Sequence, residues 1–182
     1  GVFNLFSSGG AEVFISKYDS AGNFIWAKQF SGNTDIAQSI AIDTDGSIYT
    51  TGCFYGTADF DPDTGVFNLT ALPGSDIFVS KVDAAGNFVW AKQMKGSSSV
   101  SDRGLSIVID TAGGGDVIVT GYFYGSVDFN PDTSMVFNLV PLGSADIFVL
   151  KLNKLGNFIW VRQFGSLDYD VGNSIAVDPF SS

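Results

Sequence analysis

Hydrophobic residues occur along the chain in short runs rich in Val, Ile, Phe, Tyr and Thr. In the best-defined stretch these runs cover residues 39–43, 48–55, 77–82 and 88–93, and clusters of Asp, Asn, Gly and Pro separate them. Such residue types favour β-strands and turns respectively. No segment sustains the i, i+3, i+4, i+7 apolar spacing of an amphipathic helix. The pattern therefore predicts an all-β chain of short strands.

The alternation of side chains within one strand predicts a sheet that is covered on both faces. Phe24, Trp26, Lys28 and Phe30 fall on one face of the strand that contains the first GNF-x-W motif. Ile25 and Ala27 fall on the other face, so both faces are largely apolar. A sheet with two apolar faces is typical of a layer between two other layers.

Five landmarks recur in fixed order and make this a repeat protein. VFNL begins at residues 2, 66 and 136, and GNF-x-W begins at residues 22, 86 and 156, so both recur after 64 and then 70 residues. D/E-[VI]-F-[VI], Ser-Ile-[AV]-[IV]-Asp and TG-x-FYG follow the same order. Four short antiparallel strands per unit predict a propeller blade. We expect one repeat domain over residues 1–182, with units at about 1–38 (partial), 39–105, 106–173 and 174–182 (partial).

Each unit is longer than a typical blade of about 40–50 residues. The extra residues, 56–75 and 125–145, predict a hairpin that projects from the blade. A parallel β-helix is the competing repeat fold, although its rungs are shorter and more regular. The chain holds under three repeats, whereas a closed propeller takes about four to eight blades. We therefore expect a partial propeller, or one assembled from several chains.

The repeat resembles the bacterial β-propeller repeat that is often labelled SBBP. The pattern S-I-A-[IV]-D, turn, TG-x-[FY], spacer, D-[IV]-F-V and G-N-F-x-W-A-K-Q carries the resemblance over residues 39–93 and 106–163. It implies four-stranded blades in large secreted or cell-surface bacterial proteins, and it brings no set of catalytic residues. The resulting expectation is a non-enzymatic structural or interaction module, with other blades of the same or another chain as partners.

Composition excludes several function classes. The 182 residues include 9 Lys and Arg, 19 Asp and Glu, one Cys and no His, for a net charge of -10. Without His, neither Ser-His-Asp nor Cys-His catalysis nor an imidazole metal site can form. The acidic charge argues against nucleic acid as a partner. No apolar run reaches the roughly 20 residues that membrane insertion requires. We expect Cys53 to be a packing residue.

The acidic loops after TG-x-FYG are the strongest chemical candidates. They place oxygen side chains at positions i, i+2 and i+4, namely Asp59, Asp61 and Asp63 in one unit and Asp128, Asn130 and Asp132 in the next. This spacing lets calcium loops converge three ligands on one ion. The alternative is a tight turn in which Asp and Asn side chains bond to their own backbone. Calcium is thus the one cofactor hypothesis of the sequence.

Two other functions stay open at this point. A carbohydrate-binding propeller would present the loop aromatics Phe54, Tyr55, Phe123 and Tyr124 to a glycan. A polysaccharide hydrolase or lyase would have its active site outside this segment. The repeated Trp26, Trp90 and Trp160 are expected in the core between blades, because aromatic side chains bury a large area. The repeated Lys17, Lys81 and Lys151 are expected to pair with neighbouring carboxylates.

Overall fold

The computed structural model describes residues 4–6, 10–32, 34–97 and 99–178. These residues contain strands and turns and no helix, so the all-β prediction is confirmed. The twelve strands are β1 (Phe14–Tyr18), β2 (Phe24–Gln29), β3 (Thr34–Ile42), β4 (Ile48–Asp59), β5 (Asn68–Val82), β6 (Phe88–Gly96), β7 (Arg103–Asp110), β8 (Asp116–Phe123), β9 (Val127–Asp128), β10 (Asn138–Leu139), β11 (Asp146–Leu152) and β12 (Phe158–Phe164).

The strands form antiparallel blades of the propeller type. The middle blade is the meander β3-β4-β5-β6, and the C-terminal blade is the meander β7-β8-β11-β12. In the part of the chain that the structure describes, the N-terminal blade consists of the pair β1-β2, which corresponds to the third and fourth strands of the other two. Four antiparallel strands per complete unit is the arrangement that the repeats predicted.

The segment after the C-terminal blade, residues 171–178, lies where the first strand of a next blade would lie, but it forms no β-ladder. The amide of Ile175 donates a hydrogen bond to Ser106 Oγ at 3.3 Å, as the amide of Ile107 does to Ser39 Oγ at 3.2 Å. Residues 171–178 nevertheless form no strand. The final residues of this unit, 179–182, and the start of the first VFNL motif lie outside the described residues.

The predicted hairpin is present, and each copy reaches back to the preceding blade. In the middle blade β4 and β5 continue past a bulge until Asp59 lies opposite Asn68. In the C-terminal blade the hairpin is β9-β10, and β9 pairs with β6 of the middle blade through Lys95 and Gly96. An isolated bridge between Ser31 and Asp59 repeats this contact one blade earlier. The hairpins therefore tie consecutive blades together at their outer strands.

Two hydrophobic clusters fill the spaces between the blades. Adjacent residues of β5 serve different clusters: Phe78 packs toward the N-terminal blade, and Ile77 and Val79 pack toward the C-terminal blade. Trp90 lies in the second cluster, where its ring meets Tyr49 edge to face with centroids 5.9 Å apart. Strand β5 of the middle sheet is therefore covered on both faces, and Trp90 lies in the core as expected. The strand from which two covered faces were predicted, β2, instead leaves Ile25 exposed.

The repeated lysines at the third strand meet acids in both complete blades. Lys81 Nζ lies 3.5 Å from Asp43 Oδ2, and Lys151 Nζ lies 3.1 Å from both Asp110 and Asp116. These pairings confirm the prediction for two of the three lysines. In the partial blade, Lys17 donates instead to the carbonyl oxygen of Ala84 at 2.8 Å.

Candidate functional site: the blade junctions

The acidic loop of the middle blade folds as a series of side-chain caps. Asp59 Oδ1 accepts hydrogen bonds from the amides of Asp61 at 3.0 Å and Phe67 at 2.8 Å. Asp61 Oδ1 accepts one from the amide of Asp63 at 3.0 Å. Short Asp side chains reach their own backbone in this way, which stabilises a turn.

The second loop repeats these bonds with Asn in place of one Asp. Asp128 Oδ1 accepts from the amides of Asn130 at 3.0 Å and Phe137 at 2.8 Å. Asn130 Oδ1 accepts from the amide of Asp132 at 3.0 Å, and Asp132 Oδ1 accepts from Ser134 at 2.9 Å. An amide oxygen can replace a carboxylate oxygen because each bond needs only an acceptor.

The last acid of the first loop serves the contact between blades. Asp63 forms an ion pair with Lys28 of β2 in the N-terminal blade. Among the described residues no group of three His, Cys, Asp or Glu side chains is placed to hold a metal ion. The bonds of both loops are those of the turn alternative, and calcium binding by these loops stays a prediction.

A glutamine and an acid join the outer strand of each blade to its hairpin. Gln93 Nε2 of β6 donates to Asp76 Oδ2 at 2.5 Å and to the carbonyl oxygen of Thr70 at 2.7 Å. The same pair of bonds joins Gln163 to Asp146 and Val140, and Gln29 to Glu12 and Phe6. This amide therefore locks the third strand, the fourth strand and the hairpin of one blade together.

A second acid, Asp102 of the following blade, faces the Gln93–Asp76 pair. Asp102 Oδ2 lies 2.1 Å from the point that a Cβ atom on Gly96 would occupy, and Asp76 Oδ1 lies 3.2 Å from that point. The amide of Gly96 donates to Asp76 Oδ1 at 2.9 Å, and the amide of Tyr124 donates to Asp102 Oδ1 at 2.6 Å. Only glycine leaves room for both carboxyl groups here. Asp102 Oδ2 itself is buried and has no hydrogen-bond partner among the described residues.

Burial controls the protonation of these acids. It raises the pKa of Asp102 to about 7, with a further contribution from the charge of Asp76, and it also raises the pKa of Asp76. At the preceding junction burial and then Glu12 raise the pKa of Asp35 to about 6. A buried carboxyl near a second one favours its neutral form. No sequence motif had pointed to this acid pair, although an Asp recurs at residues 35, 102 and 170.

The aromatic residues named for carbohydrate binding divide into two sets. Phe54 and Phe123 are fully buried, because each packs edge to face on the phenylalanine of its own hairpin, so their expected role in glycan contact is wrong. Tyr55 and Tyr124 remain half-buried. Tyr124 belongs to a cluster with Tyr122 and Tyr169, whose ring centroids lie 5.5 to 6.1 Å apart.

Cys53 lies at the same junction and is fully buried. Burial is the main cause that raises the pKa of its thiol, which disfavours the nucleophilic thiolate. This environment agrees with the packing role expected for Cys53. Within the described residues no helix is long and apolar enough to cross a membrane.

Comparison with known proteins supports the repeat interpretation. The SBBP family, described as a beta-propeller repeat, matches residues 25–52, which span β2, β3 and the start of β4. The chain is 30% identical, over 97% of its length, to an uncharacterised WD repeat-containing protein of Acanthamoeba polyphaga mimivirus. It is 27% identical, over 93% of its length, to the regulatory protein FlaEY of Caulobacter vibrioides.

The chain spans 13% of the viral relative and 17% of the bacterial one. The repeat match and the WD repeat relative indicate a structural or interaction module of the propeller-repeat type. The source of this chain stays a prediction, because the two relatives come from a virus and a bacterium.

Proposed function

We propose that this chain is a structural and interaction module of a secreted or cell-surface bacterial protein, and that further blades of the same repeat cover its open faces. One repeat position supports the proposal. Phe78 and Phe148 are fully buried between blades, whereas the equivalent Phe14 of the N-terminal blade is 64% exposed. The side chain that fills each internal junction is therefore presented to solvent at the end of the stack.

The inner strand of the middle blade supports the same proposal. Ile40 and Ile42 of β3 are exposed beside the N-terminal blade, which contributes no first strand to cover them. Exposed apolar residues that adjoin one another mark a surface that binds a partner. A blade of the same repeat fits this surface, because the internal junctions bury the same kinds of residue.

Self-association of the 182-residue chain tests the proposal. Sedimentation equilibrium across a concentration series should show reversible, concentration-dependent association, which Phe14→Ser should weaken. Ile25→Ser is the matched control: Ile25 is exposed, and so are its equivalents Val89 and Ile159 in the other blades. A monomer at every concentration, or an equal effect of both substitutions, would contradict the proposed role of the open face.

Carbohydrate binding is a second candidate function. The half-exposed cluster of Tyr122, Tyr124 and Tyr169 favours it, because phenol rings stack on sugar rings while their hydroxyl groups bond to sugar hydroxyls. A hydrolase or lyase active site elsewhere in a longer protein stays a prediction.

A further inference from the structure

Arg103 interrupts the repeat at the start of the inner strand β7. Its equivalents in the neighbouring units are Ile36 and Val171, both apolar. Arg103 lies opposite Tyr122 in the β7-β8 ladder, where Ile36 lies opposite Cys53 in the β3-β4 ladder. Two positions of the repeat thus change together, from an apolar pair to an arginine and a tyrosine. A change confined to one blade points to a role beyond packing.

A half-buried cation ordinarily pairs with a carboxylate, but the guanidinium of Arg103 has no such partner among the described residues. Tyr122 lies opposite it in the β7-β8 ladder, and Tyr55 and Cys53 of β4 are its other neighbours. Its Nε is buried, and no residue that the structure describes accepts a hydrogen bond from it. Among the ion pairs of the described residues, none includes Arg103, although the chain carries 19 acids. Leaving a charged donor unsatisfied is costly, so this site favours an external anion.

Tyrosine side chains extend from this cation to the surface. The ring of Tyr169 lies 5.5 Å from that of Tyr122 and 6.1 Å from that of Tyr124, centroid to centroid, and Tyr169 is itself half exposed. Burial raises the pKa of Tyr122 to about 12, so its hydroxyl keeps its proton at neutral pH. The surface therefore combines one positive charge, several neutral hydroxyl groups and aromatic faces.

We propose that this surface binds the carboxylate-bearing ring of an acidic sugar, a uronic acid residue. The residues that bind it are Arg103, Tyr55 and the cluster of Tyr122, Tyr124 and Tyr169. A guanidinium binds a carboxylate through two parallel N–H bonds, and phenols supply stacking and hydroxyl contacts to the ring. A single cation in a protein of net charge -10 suits one carboxylate better than a densely charged polymer such as nucleic acid. The proposal rests on the carbohydrate-binding candidate and names its ligand class.

Isothermal titration with two trisaccharides tests the proposal. At physiological salt, trigalacturonate should bind the wild-type chain saturably, and the neutral galactotriose should bind at least tenfold more weakly. Arg103→Gln should weaken trigalacturonate binding tenfold or more, since a charge-assisted hydrogen bond to the carboxylate is lost. Arg162→Gln is the matched control: it removes the other arginine of the chain, which lies over Trp160 on β12, and should leave binding unchanged.

Each other result would overturn the proposal. Equal binding of the two trisaccharides would deny a role for the carboxylate, and equal losses in the two arginine variants would show a general charge effect. Absence of trigalacturonate binding to the wild type would also overturn it, without changing the self-association result for Phe14. Should Arg103→Gln fail to fold by circular dichroism, Tyr169→Leu at the half-exposed phenol provides the second variant, and it should also weaken binding.

Discussion

At the scale of single residues, the decisive groups are the acids where two blades meet. Asp76 is supported by Gln93 and by the amide of Gly96, whereas Asp102 keeps one buried oxygen without a partner. A buried, incompletely bonded carboxyl group is more stable when neutral. Between about pH 4 and pH 7 the junction between blades therefore holds a proton that the unfolded chain would release.

Replacing Asp102 with Asn should remove a pH dependence of stability. The folded pKa of Asp102 is about 7, against an ordinary value of 3.8, so the folded state holds more protons between these values. Stability from this group is then fully present below about pH 4, falls as pH rises toward 7 and stays low above it. At about 1.4 kcal/mol per pKa unit, Asp102 should make the wild type about 2–4 kcal/mol less stable at pH 8 than at pH 5. Asp102→Asn should remove this difference.

Urea unfolding at pH 5 and pH 8 measures this difference. Asp168→Asn, at an exposed acid of the last loop, is the control and should leave the pH dependence of the wild type in place. An unchanged pH dependence in Asp102→Asn would show that Asp102 is charged in the folded protein at neutral pH.

At the scale of elements, the hairpin decides how one blade holds the next. Its first strand pairs with the outer strand of the preceding blade, and its phenylalanine enters the core between them. Phe60 packs against Phe30, Phe54 and Phe78 with centroids 5.0 to 5.5 Å apart. The insertion is thus a clamp whose stability comes mainly from buried aromatic area. The ion pair of Lys28 and Asp63 is partly exposed, and such pairs contribute little.

Phe60→Ala should lower the free energy of unfolding by about 3–5 kcal/mol, because it removes a fully buried aromatic ring. Val66→Ala lies in the same hairpin but at an exposed side chain, and it should change stability by less than about 0.5 kcal/mol. Thermal and urea unfolding measure both. If the two variants lost similar amounts of unfolding free energy, burial of Phe60 would not be what stabilises the hairpin.

The calcium hypothesis has its own expected outcome at the loops of these hairpins. If the loops bind the ion, millimolar calcium chloride should raise the melting temperature relative to EGTA, because a ligand that binds only the folded state stabilises it. The paired substitution Asp61→Asn and Asp128→Asn should reduce this shift, since it removes ligand charge while keeping acceptors for the backbone amides. Equal melting temperatures in calcium and EGTA would establish the loops as turns alone.

At the scale of the whole molecule, stability comes from stacking one sheet on another. The middle blade packs apolar side chains on both faces, so it becomes stable only when its two neighbours cover it. Equivalent residues of different repeats therefore contribute different amounts to the free energy of unfolding, depending on whether a neighbouring blade covers them.

The three equivalent phenylalanines test this dependence on position. Phe78→Ala and Phe148→Ala should each cost about 3–5 kcal/mol of unfolding free energy, because both side chains are fully buried between blades. Phe14→Ala, at an end of the stack, should cost less than about 1 kcal/mol at protein concentrations where the chain is monomeric. Equal costs at all three positions would show that the N-terminal face is covered in solution.

The sequence by itself determined the repeat, the all-β class, the four-strand blade, the hairpin insertion and the packing role of Trp90 and Cys53. These features depend on local alternation and turn residues, which act over a few positions and recur in each copy. It also predicted that Lys81 and Lys151 pair with carboxylates, because a poorly solvated amine requires an acid, although it did not identify which ones.

Only the tertiary structure decided which blade each hairpin clamps, that Asp76 and Asp102 share one buried site, and that Arg103 lies among tyrosines. These contacts join side chains from different strands and blades, and their distances depend on how the twisted sheets stack. Burial of Phe54 and Phe123 was decided in the same way, since a loop aromatic is exposed or covered according to the neighbour it meets. The burial of a side chain, its pKa and whether its polar atoms find hydrogen-bond partners are set only when separate copies of the repeat come into contact.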